Sequence, residues 1–185
     1  MGRMRNQKGF TLVEIAIVLV IIGLILGGIL KGQEMIKNAK IKRIVKQADE
    51  IRAAVYSYQD RYQQLPGDDN DPTGHTGVAG LLAGNNNAQI AAAEAPDVFD
   101  HLEAAGFISG SFDGTNYAKH AFGDDFFVSW LTASAKTTHW FSYTNIPGEI
   151  GRIVDTSYDD GVNTTGGIRA SAAYTTGVVT LYIEF

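Results

Sequence analysis

Residues 8–30 read KGFTLVEIAIVLVIIGLILGGIL. From Phe10 to Leu30 it contains 21 residues, of which only Thr11 and Glu14 are strongly polar. A helix of about 20 apolar residues is long enough to cross the hydrocarbon core of a bilayer. The stretch therefore predicts a transmembrane helix over residues 10–30.

Glu14 is the only charged residue in this apolar run. An ionised carboxylate inside a bilayer costs about 2.5 kcal/mol or more, so such a group usually has a partner. Its presence predicts a functional contact within the membrane. The alternative is an ordinary anchor in which Glu14, near the end of the helix, extends its carboxylate to the membrane interface.

The nine residues before Phe10, MGRMRNQKG, carry Arg3, Arg5 and Lys8, have no acidic residue and end in Gly9. A secretory signal peptide has a similar basic start, but a shorter apolar stretch and a small-residue cleavage site after it. Here the apolar stretch is longer, and no such site follows before the next charged residues. The sequence therefore disfavours an ordinary signal peptide.

The run Lys8-Gly9-Phe10-Thr11-Leu12-Val13-Glu14 resembles the processing motif of type IV prepilins and of the pseudopilins of type II secretion systems. The resemblance implies that a membrane prepilin peptidase cuts after Gly9 and methylates the new N-terminus, Phe10. It also implies that Glu14 meets the N-terminal amine of a neighbouring subunit during filament assembly. An amine and a carboxylate compensate one another in an apolar environment, which favours assembly in one register only.

Charge divides the chain into a basic stem and an acidic head. Residues 10–63 hold eight basic and five acidic side chains, whereas residues 64–185 hold four basic and fifteen acidic ones. Phosphate binding needs a basic surface, so the head is not expected to bind nucleic acid directly. The chain has no cysteine and so departs from the many type IV pilins that close a C-terminal loop with a disulfide.

The charges around the apolar run give conflicting predictions of its orientation. The apolar run is followed by six basic residues: Lys31, Lys37, Lys40, Lys42, Arg43 and Lys46. By the positive-inside rule they would place the head in the cytoplasm. The prepilin resemblance implies a cytoplasmic N-terminus instead. We follow the motif, which predicts an inner-membrane precursor and, after assembly, an extracellular pilus or a periplasmic pseudopilus.

The helix is expected to continue to Tyr62, which would make it about 80 Å long. Residues 31–62 contain no proline and carry one apolar stripe at alternating spacings of three and four: Ile41, Ile44, Ala48, Ile51, Val55, Tyr58 and Tyr62. The stripe predicts packing against a sheet, with a coiled coil as the alternative. Four glycines predict close helix approach or local melting in a filament, with the alternative that glycine is simply common in membrane helices: Gly23, Gly27, Gly28 and Gly32.

Beyond Leu65-Pro66-Gly67, which should end the helix, the head is expected to mix short helices with strands. The expected helices are Asn87–Ala95, residues 96–106 and residues 147–154. The expected strands are 126–131, 140–143 and 177–185, and the last has one apolar face made of Val179, Leu181, Ile183 and Phe185. The aromatic residues Trp130, Trp140 and Phe141 are expected in the core.

Two groups of acids are considered as calcium ligands. The first group, Asp68, Asp69 and Asp71, lacks the glycine and distal glutamate of a twelve-residue calcium loop, so solvated loop acids are expected. The second group is Asp155, Asp159 and Asp160, because some secretion pseudopilins bind calcium in a late loop. The alternative for the second group is that turn acids bond their own backbone. These acids adjoin a DDG…G-x-I-R stretch, residues 159–169, that is also similar to pseudopilin-like sequences.

No arrangement of catalytic residues is recognised. The four histidines lack zinc-ligand spacing: His75, His101, His120 and His139. No nucleophile elbow or phosphate-binding loop occurs in the sequence. We therefore predict a non-enzymatic α+β protein of the type IV pilin-like class, with a long N-terminal helix packed on a small antiparallel sheet. Its expected parts are a leader (1–9), a transmembrane assembly helix (10–30), an amphipathic continuation (31–63) and a head (64–185).

The predicted function is that of a structural subunit of a type IV pilus or a type II secretion pseudopilus. The expected partners are further copies of the chain in a helical filament, prepilin peptidase, an inner-membrane assembly platform and minor pilins. No cofactor is expected apart from possible calcium. The alternative, from another class, is a membrane-anchored ligand-binding or enzymatic domain with an uncleaved signal anchor.

Overall fold

The computed structural model of the chain describes residues 9–185, so the leader residues Arg3, Arg5 and Lys8 lie outside it. Three helices come first: α1 at Leu12–Tyr62, α2 at Pro72–Thr76 and α3 at Asp97–Ala104. Five strands and a fourth helix follow: β1 Ala118–Lys119, β2 Asp125–Ala133, β3 Lys136–Pro147, α4 Gly148–Tyr158, β4 Ile168–Ala170 and β5 Val178–Glu184. The chain divides into two compact units, with the boundary along the sequence between Ala39 and Lys40.

The first unit presents an apolar helical surface. Every residue from Leu12 to Leu30 is solvent-exposed in the isolated chain. Within the part of the chain that the structure describes, α1 is the one helix long and apolar enough to cross a membrane, with a mean hydropathy of 2.9 over its most apolar 18 residues. So large an apolar surface marks a site of contact with lipid or with other apolar helices.

The second unit is built on a five-stranded sheet with strand order β1-β2-β3-β5-β4, in which every neighbouring pair is antiparallel. β2 and β3 form a hairpin whose two turn residues, Ser134 and Ala135, have φ angles of 45° and 67°. Positive φ at both positions is characteristic of the type I′ turn, whose twist matches that of the strands it joins. The two predicted aromatic strands are therefore longer than expected and directly connected.

The second half of α1 packs on one face of this sheet. Its buried side chains are Ile41, Ile44, Ala48, Ile51, Ala54, Val55 and Tyr58. They form one core with residues of the sheet that include Phe126, Phe141 and Leu181. In addition, Tyr143 Oη donates a hydrogen bond of 2.8 Å to the carbonyl oxygen of Ile44. The predicted α+β, pilin-like architecture is confirmed, and the sheet, not a second long helix, covers the apolar stripe.

The predicted helix at Asn87–Ala95 is wrong. The N–H of Ala88 donates to Asp68 Oδ2 at 2.7 Å. Further along, the N–H of Ile90 donates to His139 Nε2 at 3.0 Å, and the carbonyl oxygen of Ile90 accepts from Trp130 N at 2.6 Å. These tertiary partners hold the segment in a non-helical conformation, because they outweigh the helix propensity of its alanines. The two later helices are confirmed, with α4 ending at Tyr158 instead of Val154.

The opposite face of the sheet carries a smaller buried layer centred on Trp140. Because side chains alternate along a strand, Trp140 faces away from its neighbour Phe141. Both side chains are fully buried, whereas Trp130 is only partly buried. The Arg169 guanidinium lies 5.6 Å from the centre of the Trp140 ring. Arg169 Nη1 also donates to the carbonyl oxygens of Ala133 and Ser134, at 3.0 and 2.6 Å. Arg169 thus covers Trp140 and ties β4 to the β2–β3 turn.

Replacing Arg169 by Lys should lower the free energy of unfolding by about 1–3 kcal/mol. Lysine keeps the charge, but it lacks the planar fork that donates to two carbonyl oxygens while stacking on an indole. Urea denaturation of the full chain in detergent, followed by tryptophan fluorescence, measures the loss. The control is Arg152→Lys on the exposed side of α4. A loss of equal size in both variants would contradict the assigned role.

Candidate processing and assembly site

The candidate site lies at the start of α1. Thr11 directly precedes the first helical residue, Leu12, and so occupies the N-cap position. Its backbone N and its Oγ1 each donate a hydrogen bond of 2.8 Å to Glu14 Oε2. In return, Glu14 N donates to Thr11 Oγ1 at 3.2 Å. This arrangement is a capping box, in which a Thr and a Glu three residues later satisfy backbone donors at the end of a helix reciprocally.

The capping box sets the start of the helix relative to the predicted cleavage point. Gly9 and Phe10 are exposed and lie outside the helix, in the kind of backbone that a peptidase can reach. The helix begins two residues later than predicted, because Thr11 and Glu14 cap it there. Cleavage after Gly9 would leave Thr11 N as a peptide N–H, so all three hydrogen bonds of the box would persist in the mature chain.

Glu14 has a second role available to it. The capping box uses only Oε2 of its carboxylate. A cation on a neighbouring chain can therefore bind Oε1 without breaking the cap. The pattern T-x-x-E at residues 11–14 is a recognised sign of a capping box, so the sequence already contained this signal.

The four glycines of α1 leave open space on the helix surface. Nothing lies within 4 Å of the position that a Cβ would take at any of them: Gly23, Gly27, Gly28 and Gly32. Residues four apart lie on the same side of a helix. Gly23 and Gly27 therefore form one shallow notch, and Gly28 and Gly32 form another. Their part in helix packing stays a prediction.

The first group of loop acids forms an internal hydrogen-bond network. Asp69 is fully buried, and its Oδ2 accepts from Tyr58 Oη at 2.5 Å and lies 2.7 Å from His75 Nδ1. Asp68 is also buried. The expectation of solvated acids is wrong for these two, because Asp69 supplies the acceptor for the Tyr58 hydroxyl and Asp68 accepts from the N–H groups of Asn87 and Ala88. Asp71 is exposed and caps α2, accepting from Gly74 N at 3.0 Å.

The second group of acids does converge. Carboxylate oxygens of Asp155, Asp159 and Asp160 lie within 4.8 Å of one another, and Asp155 is buried while the other two are exposed. Burial raises the pKa of Asp155, although hydrogen bonds from Tyr174 and Gly161 oppose the rise. All three also accept bonds from their own loop, Asp159 from Ile168 N at 2.8 Å and Asp160 from Thr165 Oγ1 at 2.6 Å. The acids thus act as turn residues, and calcium binding here stays a prediction.

All four histidines lie in the head and have hydrogen-bond partners, His75 with Asp69 as described above. His101 Nδ1 accepts from Gly67 N at 2.9 Å, and His120 Nε2 lies 2.8 Å from the carbonyl oxygen of Thr144. Burial lowers the pKa of His101, His120 and His139, which favours the neutral imidazole at neutral pH. These three rings are thus structural groups, of which His101 and His120 are buried and His139 is half-buried.

Residues 4–30 match the family model of the prokaryotic N-terminal methylation motif. The match confirms the prepilin-type signature that Gly9, Phe10 and Glu14 suggest. The motif and the α+β fold together support a type IV pilin-like prepilin. The motif implies processing by a prepilin peptidase and assembly into a filament, and with the apolar helix it fits a precursor anchored in the inner membrane. No curated protein and no solved structure gave a significant match to the chain.

Proposed function

We propose that the protein is a structural subunit of a type IV pilus or of a type II secretion pseudopilus, without enzymatic activity. The observation that carries the proposal is the start of α1, where a methylation motif includes a capping glutamate in the first turn of a helix whose apolar residues 12–30 are all exposed. The precursor is held in the inner membrane with its N-terminus in the cytoplasm. It is cut after Gly9, methylated on Phe10 and polymerised through α1.

Assembly follows from the cost of unpaired charges in an apolar environment. Cleavage gives Phe10 a charged amine close to Glu14, and neither group is stable alone among apolar helices. Pairing of the Phe10 amine of one subunit with Glu14 Oε1 of the next compensates both charges and sets the axial register. The apolar surface of residues 12–30 is then covered by neighbouring helices, and the glycine notches at Gly23 and Gly27 allow close approach.

Coexpression with a prepilin peptidase should yield a chain that begins at Phe10 and is one methyl group heavier than the unmodified mature sequence. Intact mass and N-terminal sequencing measure both changes. The matched control is Gly9→Val, which places a branched side chain at the scissile bond and should keep its leader. A wild-type chain that retains its leader would favour the anchored-domain alternative instead.

The class of filament is a separate question from processing. A major pilin should be abundant in filaments sheared from the cell surface, whereas a pseudopilin or a minor subunit should be retained with the envelope. Quantifying the mature chain in both fractions distinguishes the two. Both outcomes keep the chain in the same structural class and differ only in the length of its assembly.

A further inference from the structure

A buried carboxylate oxygen without a hydrogen-bond partner lies at the start of α3. Asp97 is only 6% exposed, and its Oδ1 is one of four buried side-chain polar atoms without a partner in the described part of the chain. The other three belong to uncharged side chains: Gln47, Trp140 and Ser142. Leaving a buried polar group unpaired costs about 1–3 kcal/mol, and more for a charged group. Asp97 therefore needs a proton or a cation.

Asp100, one turn further along α3, faces the same space. The loop between α3 and β1 passes over this turn at Gly114, whose φ is 69°. A Cβ on Gly114 would lie 2.6 Å from Asp97 Oδ1 and 3.5 Å from Asp100 Oδ2. The two oxygens therefore lie on the same side of Gly114, and a side chain at position 114 would collide with Asp97 Oδ1.

The surroundings of this space are acidic. The negative charges of Glu94 and Asp100 are close enough to Asp97 to raise its pKa. Those of Glu103 and Asp113 do the same to Asp100. None of these five takes part in an ion pair that the structure describes. Burial, with the charges of Asp100 and Glu94, raises the pKa of Asp97 to about 6. No ion pair in the described part of the chain thus compensates either carboxylate.

The other acids are already engaged, which leaves Asp97 and Asp100 as the available ligands. Glu103 Oε2 accepts from Phe112 N at 2.8 Å, and Asp113 Oδ1 accepts from Thr115 N at 3.0 Å. These bonds also shape the loop over the first turn of α3. The Phe112 ring stacks on Phe99 of α3 with the ring centres 5.4 Å apart, so the loop is held in place by packing as well.

We propose that Asp97 and Asp100 bind a divalent cation between α3 and the loop that carries Gly114. Hard cations such as Ca²⁺ prefer carboxylate and carbonyl oxygens, and Ca²⁺ tolerates irregular geometry and completes its shell with water. With two carboxylates from the protein, we expect a dissociation constant on the order of 10⁻⁴–10⁻³ M, the range of extracellular calcium modules. The site is distinct from Asp155, Asp159 and Asp160 and does not depend on the proposed function.

Calcium titration of the full chain in detergent at neutral pH, followed by calorimetry, tests the site. The wild type should bind one more Ca²⁺ per chain than Asp97→Asn or Asp100→Asn. Saturating Ca²⁺ should raise the melting temperature of the wild type by several degrees more than that of Asp97→Asn. Asp97→Asn in chelator should be at least as stable as the wild type, because the amide removes a buried charge.

The control is a chain with Asp159→Asn and Asp160→Asn, which changes two carboxylates of the late loop in the same way. Adding Asp97→Asn to this control chain should again reduce calcium binding by one Ca²⁺ per chain. Equal calcium binding by the wild type and Asp97→Asn would overturn the proposal. Calcium binding that disappears only when Asp159 and Asp160 are replaced would overturn it as well.

Discussion

Replacing Glu14 by Gln should reduce filament yield by more than tenfold while leaving processing intact. Glutamine can still accept the hydrogen bond that closes the capping box, but it carries no charge to pair with the Phe10 amine of a neighbour. An unpaired charge among apolar helices costs about 2.5 kcal/mol or more, and about 1.4 kcal/mol corresponds to a factor of ten. The measurement is the amount of mature chain in sheared filaments relative to the total mature chain.

Two further variants separate the charge of Glu14 from its role as a cap. Thr11→Val removes the hydroxyl of the box and keeps the carboxylate, so it should weaken the helix end by about 0.5–2 kcal/mol and leave assembly nearly normal. Glu14→Ala removes both cap and charge and should assemble no better than Glu14→Gln. Normal filament yield from Glu14→Gln together with failure of Thr11→Val would show that the glutamate serves as a cap alone.

Replacing Asp69 by Ala should lower the free energy of unfolding of the head by about 3 kcal/mol or more. The change leaves the buried Tyr58 hydroxyl without its acceptor at 2.5 Å, and it also removes the contacts to His75 and to the N–H of Asp71. Thermal and urea denaturation of the full chain in detergent measure the loss. The control, Asp71→Ala, removes an exposed cap of a short helix and should cost about 1 kcal/mol. Similar losses from both variants would contradict the central role of Asp69.

The contribution of Asp69 should also depend on pH. Burial raises its pKa, but hydrogen bonds from Tyr58, His75 and the N–H of Asp71 outweigh burial and hold the pKa below its usual value. A carboxyl group with a lower pKa in the folded than in the unfolded state stabilises the fold above the unfolded pKa, about 4. That contribution is lost as the pH falls through the folded pKa. The stability difference between the wild type and Asp69→Ala should therefore shrink below about pH 4.

The parts of the fold that could be predicted are those in which a periodic pattern reports burial directly. The spacing from Ile41 to Tyr58 identified the packed face of α1, and the alternation from Val179 to Ile183 identified the buried face of β5. The segment Asn87–Ala95 could not be predicted in this way. Its conformation is set by Asp68 and His139, which are distant in sequence and give no local signal.

The functional residues likewise divide into those with a local sequence signal and those whose contacts depend on the fold. The motif around Gly9 and Glu14 is local, so the sequence identified it. The charge of Glu14 was recognised from its apolar surroundings, but its role as a cap was not predicted. Asp68 and Asp69 were misjudged because an acid in a polar loop is usually solvated, and only the fold brings Tyr58 and Ala88 to them. Asp97 is an ordinary residue for the first turn of a helix, and its burial follows from how the loop at Gly114 folds.

The sheet ends on both sides in very short strands, β1 with two residues and β4 with three. A long edge strand exposes a row of unpaired backbone groups, onto which a strand of another molecule can add. β4 offers almost no template for such addition. On the other side β1 pairs only with Asp125 and Phe126 of β2, and further along β2 the N–H of Trp130 is occupied by the carbonyl oxygen of Ile90. In the filament that we propose, these features would limit strand-to-strand addition between neighbouring heads, so that growth would proceed through the N-terminal helices.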